Sequence, residues 1–141
     1  MTEYLPATPL RIVVIEDNPA DVFLIRESLK EQGVECELSI AEDGQEAIAL
    51  VRREEAADGA ERLDLIVLDL NLPKYSGKEI LQSIRKSPAL AQVPVAILTS
   101  SDSPQDRLET SNLGANRYIR KPSSLEEFMQ VGALLKEMLV R

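Results

Sequence analysis

Residues 63–77, LDLIVLDLNLPKYSG, decide the architecture. Residues 63–70 predict a strand that is apolar at most positions instead of alternating. Such a strand is covered on both faces, as in a parallel sheet layered between helices. It closes on a carboxylate, Asp69. The loop that follows is rich in turn-forming residues, Asn71, Pro73 and Gly77.

Working outward, the same unit recurs. Leu10 to Ile15 (LRIVVI) is a β-branched run that predicts a first strand. Asn18 is a good helix cap and Pro19 a good first helical residue. In the helix over 19–32, Val22, Ile25 and Leu29 share one face, and Gly33 ends it. Residues 35–41 predict a second strand, and Gln45 to Glu55 a helix with Ala47, Leu50 and Val51 inward. Residues 56–61 form a small polar connection. A helix over 78–87 turns Ile80, Leu81 and Ile84 inward. A fourth strand over 93–98 and a weak helix over 103–112 follow, the latter with Leu108 as almost its only apolar anchor. Tyr118-Ile119 is a short fifth strand, and a last helix runs from a Ser123 or Ser124 cap to about Val140. Five β-α repeats with short links predict an α/β fold, a parallel sheet with helices on both faces.

Composition narrows the function. The chain has 141 residues, enough for one domain, and 44% are hydrophobic, so a core can form. Residues 1–9 (MTEYLPATP) form an arm, and 10–141 the domain. With 16 basic and 24 acidic residues the net charge is −8, which argues against binding nucleic acid or an anionic membrane. There is no histidine and one cysteine, which excludes a Ser-His-Asp triad, a Cys/His zinc site and an internal disulfide. With no leader-like start and no run of 18 apolar residues, the expectation is a cytoplasmic protein.

In open α/β sheets the site lies beyond the carboxyl ends of the strands. Strand one is followed by Glu16 and Asp17. Strand three ends on Asp69, with Asn71 two residues on. Strand four leads to Thr99, Ser100 and Ser101, and strand five to Lys121. Taken singly, Glu16-Asp17 is also a solvated turn ahead of a helix, and Lys121 a surface lysine. Together they place three carboxylates, a hydroxyl and an ammonium on one edge. Close carboxylates repel by roughly 4 kcal/mol per pair at an effective dielectric near 20, so a cation is expected among them. Oxygen donors suit Mg²⁺. Carboxylates are nucleophiles toward phosphoryl groups, and Asp69 is the central candidate. Lys121 and Thr99 would hold phosphoryl oxygens.

These residues resemble the receiver domains of two-component response regulators. The matching segments are IEDNPAD (15–21), LIVLDLNLPKYSG (65–77), VAILTSS (95–101) and GANRYIRKP (114–122). The resemblance implies a doubly wound, flavodoxin-like five-stranded parallel sheet of order 2-1-3-4-5. It implies that Asp69 accepts a phosphoryl group from a partner histidine kinase, with Lys121 and Thr99 completing the reaction site. Glu16, Asp17, Asp69 and the Asn71 backbone carbonyl would hold Mg²⁺. Thr99 and Tyr118 would form the switch. Glu16 stands where Asp is common in the family, and its longer arm suits an outer-sphere role. The wording NPADVFLIRESL and LNLPKYSG also resembles the small stand-alone regulators paired with bacterial phytochromes, which implies a bacteriophytochrome kinase. The kinase is expected to touch Asp21, Val22, Ile25 and the Pro122-Ser123 turn, though some of those apolar residues serve equally as core.

The resemblance implies a phosphoacceptor signalling protein and not an enzyme in the usual sense. It would be modified by a donor and slowly lose the group again. With no output domain expected after the last helix, output would pass through protein contacts. Leu125, Phe128, Leu135 and Leu139 form a stripe there that Val131, Leu134 and Met138 widen. It serves either as a broad inward face or as part of a homodimer on helix four, strand five and helix five. Two rival functions are weighed against these residues. A Mg²⁺-dependent haloacid-dehalogenase-like phosphatase needs an acid two residues after its nucleophile, where Asn71 stands. A flavodoxin needs a phosphate loop after strand one, where Glu16-Asp17 would repel phosphate. A receiver-like interaction module that is never phosphorylated is the third alternative.

Overall fold

The computed structural model describes residues 9–57 and 63–139. Five strands form one parallel sheet of order β2-β1-β3-β4-β5. They are β1 (Leu10–Ile15), β2 (Cys36–Ala41), β3 (Leu65–Leu68), β4 (Val95–Thr99) and β5 (Arg117–Arg120). The helices are α1 (Pro19–Glu31), α2 (Gly44–Ala57), α3 (Gly77–Lys86), α4 (Pro104–Asn112), α5 (Leu125–Phe128) and α6 (Val131–Lys136). The predicted doubly wound fold is therefore present. The expected arm falls almost wholly on residues 1–8, outside the described residues, as do 58–62 and 140–141.

Alternation along each strand explains the two layers. Val13, Ile15, Ile66, Leu68 and Ile97 face α2 and α3, where Leu50, Val51, Ile80, Leu81 and Ile84 are buried against them. Ile12, Val14, Leu65, Val67, Ala96 and Leu98 point the other way, toward Ile25 and Leu29 of α1, Phe128 of α5, and Val131 and Leu135 of α6. Each large aliphatic side chain taken from water contributes about 1.5–3 kcal/mol. The helix starts follow their capping chemistry. The Asn18 side chain accepts from the Ala20 and Asp21 amides, and Ser76 with Glu79 forms a reciprocal capping box on α3. Gly33 takes φ +74° as α1 ends, where a side chain would be strained.

One guanidinium fastens the edge of the sheet. Arg85, in the last turn of α3, donates to the carbonyls of Leu90, Ala91 and Val93 at 3.1, 3.1 and 2.8 Å. It also donates twice to Gly114 O, at 3.0 and 2.9 Å, and once to Asn116 Oδ1 at 2.9 Å. Asn116 Oδ1 in turn accepts from the Val95 amide at 2.8 Å. The amino ends of β4 and β5 are thus tied to α3.

Three expectations are corrected. Leu108 does not anchor α4: it is 63% exposed, and Thr110 is the buried residue of that helix. The helical wheel gives the reason. Asp106, Glu109 and Thr110 share the inward side, where Lys78 binds both acids, which turns Leu108 outward. The last helix is not continuous. It divides at Met129-Gln130, where the Gln130 and Ala133 amides reach back three residues to Glu127 and Gln130, and α6 ends at Lys136. The inward stripe begins at Phe128, since Leu125 is 65% exposed. Finally, α2 continues through Ala57, so the connection predicted from residue 56 starts later; 58–61 lie outside the described residues.

Candidate phosphoacceptor site

Main-chain bonds at the strand ends place the functional side chains. The Asp69 amide donates to Ile15 O at 3.0 Å, Glu16 N to Ala41 O at 2.9 Å, and Lys121 N to Thr99 O at 2.7 Å. These bonds carry the sheet register one residue beyond the strands. Glu16, Asp17, Asp69 and Lys121 therefore leave the same edge of the sheet. Carboxylate oxygens of Glu16, Asp17 and Asp69 all lie within 4.8 Å of one another. Glu16 and Asp69 are buried and Asp17 is exposed.

Lys121 reaches into this cluster. Its Nζ lies 2.8 Å from Glu16 Oε1, 3.1 Å from Asp69 Oδ2 and 2.8 Å from Asp21 Oδ2. Asp69 Oδ1 accepts from the Asn71 amide at 3.2 Å, which fixes Asn71 beside the carboxylate. Burial pushes the Glu16 carboxyl up to about 7; the Lys121 hydrogen bond opposes this and the Asp69 charge adds to it. Burial works against the Lys121 charge, yet hydrogen bonds to Asp21 and Glu16 outweigh it and hold the ammonium above its ordinary value.

The Glu16 shift has a stability consequence. A free Glu titrates near 4.5. Between that value and about 7, the folded chain keeps a proton on Glu16 that the unfolded chain has lost. The stabilisation from that proton is complete below the lower value and is lost as pH rises through the upper one. In chelator, wild type should lose urea resistance relative to Glu16→Gln between about pH 5 and about pH 8. A constant difference between the two denaturation midpoints would contradict this.

Thr99 closes β4 and is fully buried, with its Oγ1 accepting from the Ser101 amide at 3.4 Å. Tyr118 is half-buried on β5; its hydroxyl donates to Ser101 O at 3.0 Å, and the Arg107 guanidinium sits 4.4 Å from its ring centre. The structure thus joins both expected switch residues to Ser101. Ser101 Oγ bonds Asp106, and Lys78 of α3 binds Asp106 at 2.7 Å as well as Glu109. Helix α4 is held mainly by these polar contacts. Lys78→Ala should raise hydrogen exchange several-fold in residues 104–112 while α3 stays protected. Unchanged exchange in α4 would show that the ion pairs do not hold it.

The sequence reading missed three things. Asp21 was expected on a docking surface, yet it binds Lys121; its place in the first turn of the helix that follows Glu16-Asp17 was the available signal. The Lys78 clamp joins residues far apart in the chain and had no local signature. Phe23 had not been singled out yet is 57% exposed on α1, while Ile25, read either as docking surface or as core, is fully buried. Among the described residues, no helix is long and apolar enough to cross a membrane.

Comparison with known proteins shows the family and the fold. Residues 12–132 match the family model for the response regulator receiver domain. Response regulator Rcp1 of Synechocystis sp. is 36% identical over 123 residues, covering 87% of this chain and 84% of that protein. The crystal structure of the phosphorylated cyanobacterial phytochrome response regulator RcpA superimposes with a TM-score of 0.83 at 38% identity, covering 94% of each chain. The Mn²⁺-bound form of Rcp1 gives a TM-score of 0.81 at 34% identity, covering 92% of this chain and 93% of that one.

Proposed function

This chain belongs to the response regulator receiver family, and from that premise we propose that Asp69 is its phosphoacceptor. The observation that carries the reading is the Asp69 carboxylate at the end of β3, with Glu16 and Asp17 on one side and the Lys121 ammonium 3.1 Å away. An Asp69 oxygen attacks phosphorus. The new P–O bond forms as the bond to the donor's leaving group breaks, and that group departs with the electron pair. Asp69 needs no general base, because its carboxylate is already the nucleophile. Lys121 binds one phosphoryl oxygen and Thr99 another.

Glu16, Asp17, Asp69 and the Asn71 carbonyl would hold the cation. The donor set is all oxygen, which fits Mg²⁺. Bound there, it supplies neutralisation of the charge that the acids and the phosphoryl group bring together. The Mn²⁺-bound relative supports a divalent ion at such a site. Asn71 is an amide and not an acid, so it cannot protonate a leaving group, which disfavours the phosphatase reading.

The donor is a histidine kinase, and the likeness to RcpA supports a bacteriophytochrome in that role. Output passes through α4, β5 and the α5–α6 segment, where exposed Leu108 and Leu125 support a homodimer. The chain works in the cytoplasm. On modification, Thr99 moves toward the phosphoryl group and Tyr118 follows through Ser101. A small phosphodonor with Mg²⁺ should add one phosphoryl group by intact-mass measurement, and chelator should prevent it. Thr99→Ala should accept the group yet lose the exchange change in α4. No adduct on the wild type would overturn the acceptor reading.

A further inference from the structure

We propose that Asp21 is a positioning residue for Lys121, keeping the ammonium beside the acceptor when a cation draws Glu16 and Asp69 away from it. The inference rests on the reading of Asp69 as phosphoacceptor and of the neighbouring acids as the cation's ligands.

A lysine ammonium has three N–H donors. Three carboxylates surround that of Lys121: Glu16 and Asp21 at 2.8 Å each, and Asp69 at 3.1 Å. Two of the three belong to the cluster whose oxygens converge within 4.8 Å, and Asp21 does not. A divalent ion in that cluster competes with the ammonium for Glu16 and Asp69 and repels it directly. Asp21 is the anchor that keeps its whole charge for the lysine. The pair is mostly shielded from water, with side chains 13% and 17% exposed, so the contact is screened less than a surface ion pair.

Asp21 is also held in place before any ligand arrives. It lies in the first turn of α1, where Asn18 Oδ1 accepts from its amide at 3.4 Å and from Ala20 N at 2.9 Å. Buried Ile25 and Leu29 fix the rest of the helix. The carboxylate is therefore presented on a rigid element, while Lys121 hangs from a flexible four-carbon stem. Without Asp21 the lysine either stays on Glu16 and Asp69, in competition with the cation, or swings toward solvent. The first outcome weakens cation binding, and both slow the transfer.

The plain alternative is that Asp21 only adds negative charge to the site. Its removal would then weaken cation binding whether or not Lys121 is present, and would speed attack on an anionic donor. A double-mutant cycle separates the two. Wild type, Asp21→Ala, Asp21→Asn, Lys121→Met and the Asp21→Ala/Lys121→Met pair are titrated with Mg²⁺ by calorimetry. Adduct formation from a small phosphodonor is then timed by intact mass at saturating Mg²⁺. Asp21→Ala should slow adduct formation about 5- to 10-fold, the usual size of coupling between contacting residues. Asp21→Asn should recover part of the loss, because its amide oxygen still accepts from the ammonium. In the Lys121→Met background, Asp21→Ala should change neither the rate nor the Mg²⁺ affinity. A rate equal to or above wild type in Asp21→Ala overturns the inference, as does an equal loss in both backgrounds. A wild type that takes up no phosphoryl group overturns the functional reading and this inference together; failure of the cycle in a wild type that is phosphorylated removes the inference alone.

Discussion

Asp69→Asn should abolish modification: under conditions in which wild type is fully converted, the variant takes up phosphoryl at least about 10³-fold more slowly, the scale on which loss of a nucleophile acts. The neutral amide oxygen is a poor nucleophile, and no neighbour replaces it. Glu16 is bound to Lys121, its carboxyl is pushed up to about 7, and Asp17 is exposed at the rim. The variant should still fold, because asparagine retains one oxygen that can accept from the Asn71 amide, while Lys121 keeps its contacts with Glu16 and Asp21. Intact-mass time courses give the rate, and circular dichroism verifies the fold. An adduct on Asp69→Asn at the wild-type rate would place the acceptor elsewhere.

The second large effect concerns stability. Gly132 is the second residue of α6, which packs against α1, and a Cβ there would lie 2.2 Å from Ser28 O and 2.4 Å from Ser28 C. Those are backbone atoms of a helix, so no rotamer change relieves the contact. Alanine is favoured over glycine in a helix by about 1 kcal/mol, but overpacking of this severity costs roughly 3 kcal/mol and wins. Gly132→Ala should therefore lower the urea midpoint strongly. Gly33→Ala is the control: it has φ +74° and nothing within 4 Å of the added carbon, so only backbone strain, about 1 kcal/mol, applies. Equal losses in the two variants would show that the α1–α6 approach is softer than it looks.

The fold was legible because its signals are local. Apolar runs such as residues 65–68 announce buried parallel strands, and Asn18-Pro19 announces a helix start. Much of the site was legible for the same reason, since residues that end parallel strands share one edge. What escaped depended on tertiary geometry. Leu108 reads as an anchor until Lys78, supplied by another helix, claims the opposite side of α4. The last helix reads as continuous until the Gln130 and Ala133 amides bond three residues back and divide it at Met129-Gln130. Asp21 reads as surface until Lys121, a hundred residues later in the chain, folds onto it.

The Arg85 knot decides how movement can spread. It clinches the chain before β4 and before β5, including Gly114 just beyond α4, at the end of the sheet remote from Asp69. Helix α4 is consequently a lever with its fulcrum at Gly114. A small pull on Thr99 and Ser101 acts at the opposite end, where Ser101 and Lys78 hold Asp106, so displacement should be greatest around Pro104 and die away toward Asn112.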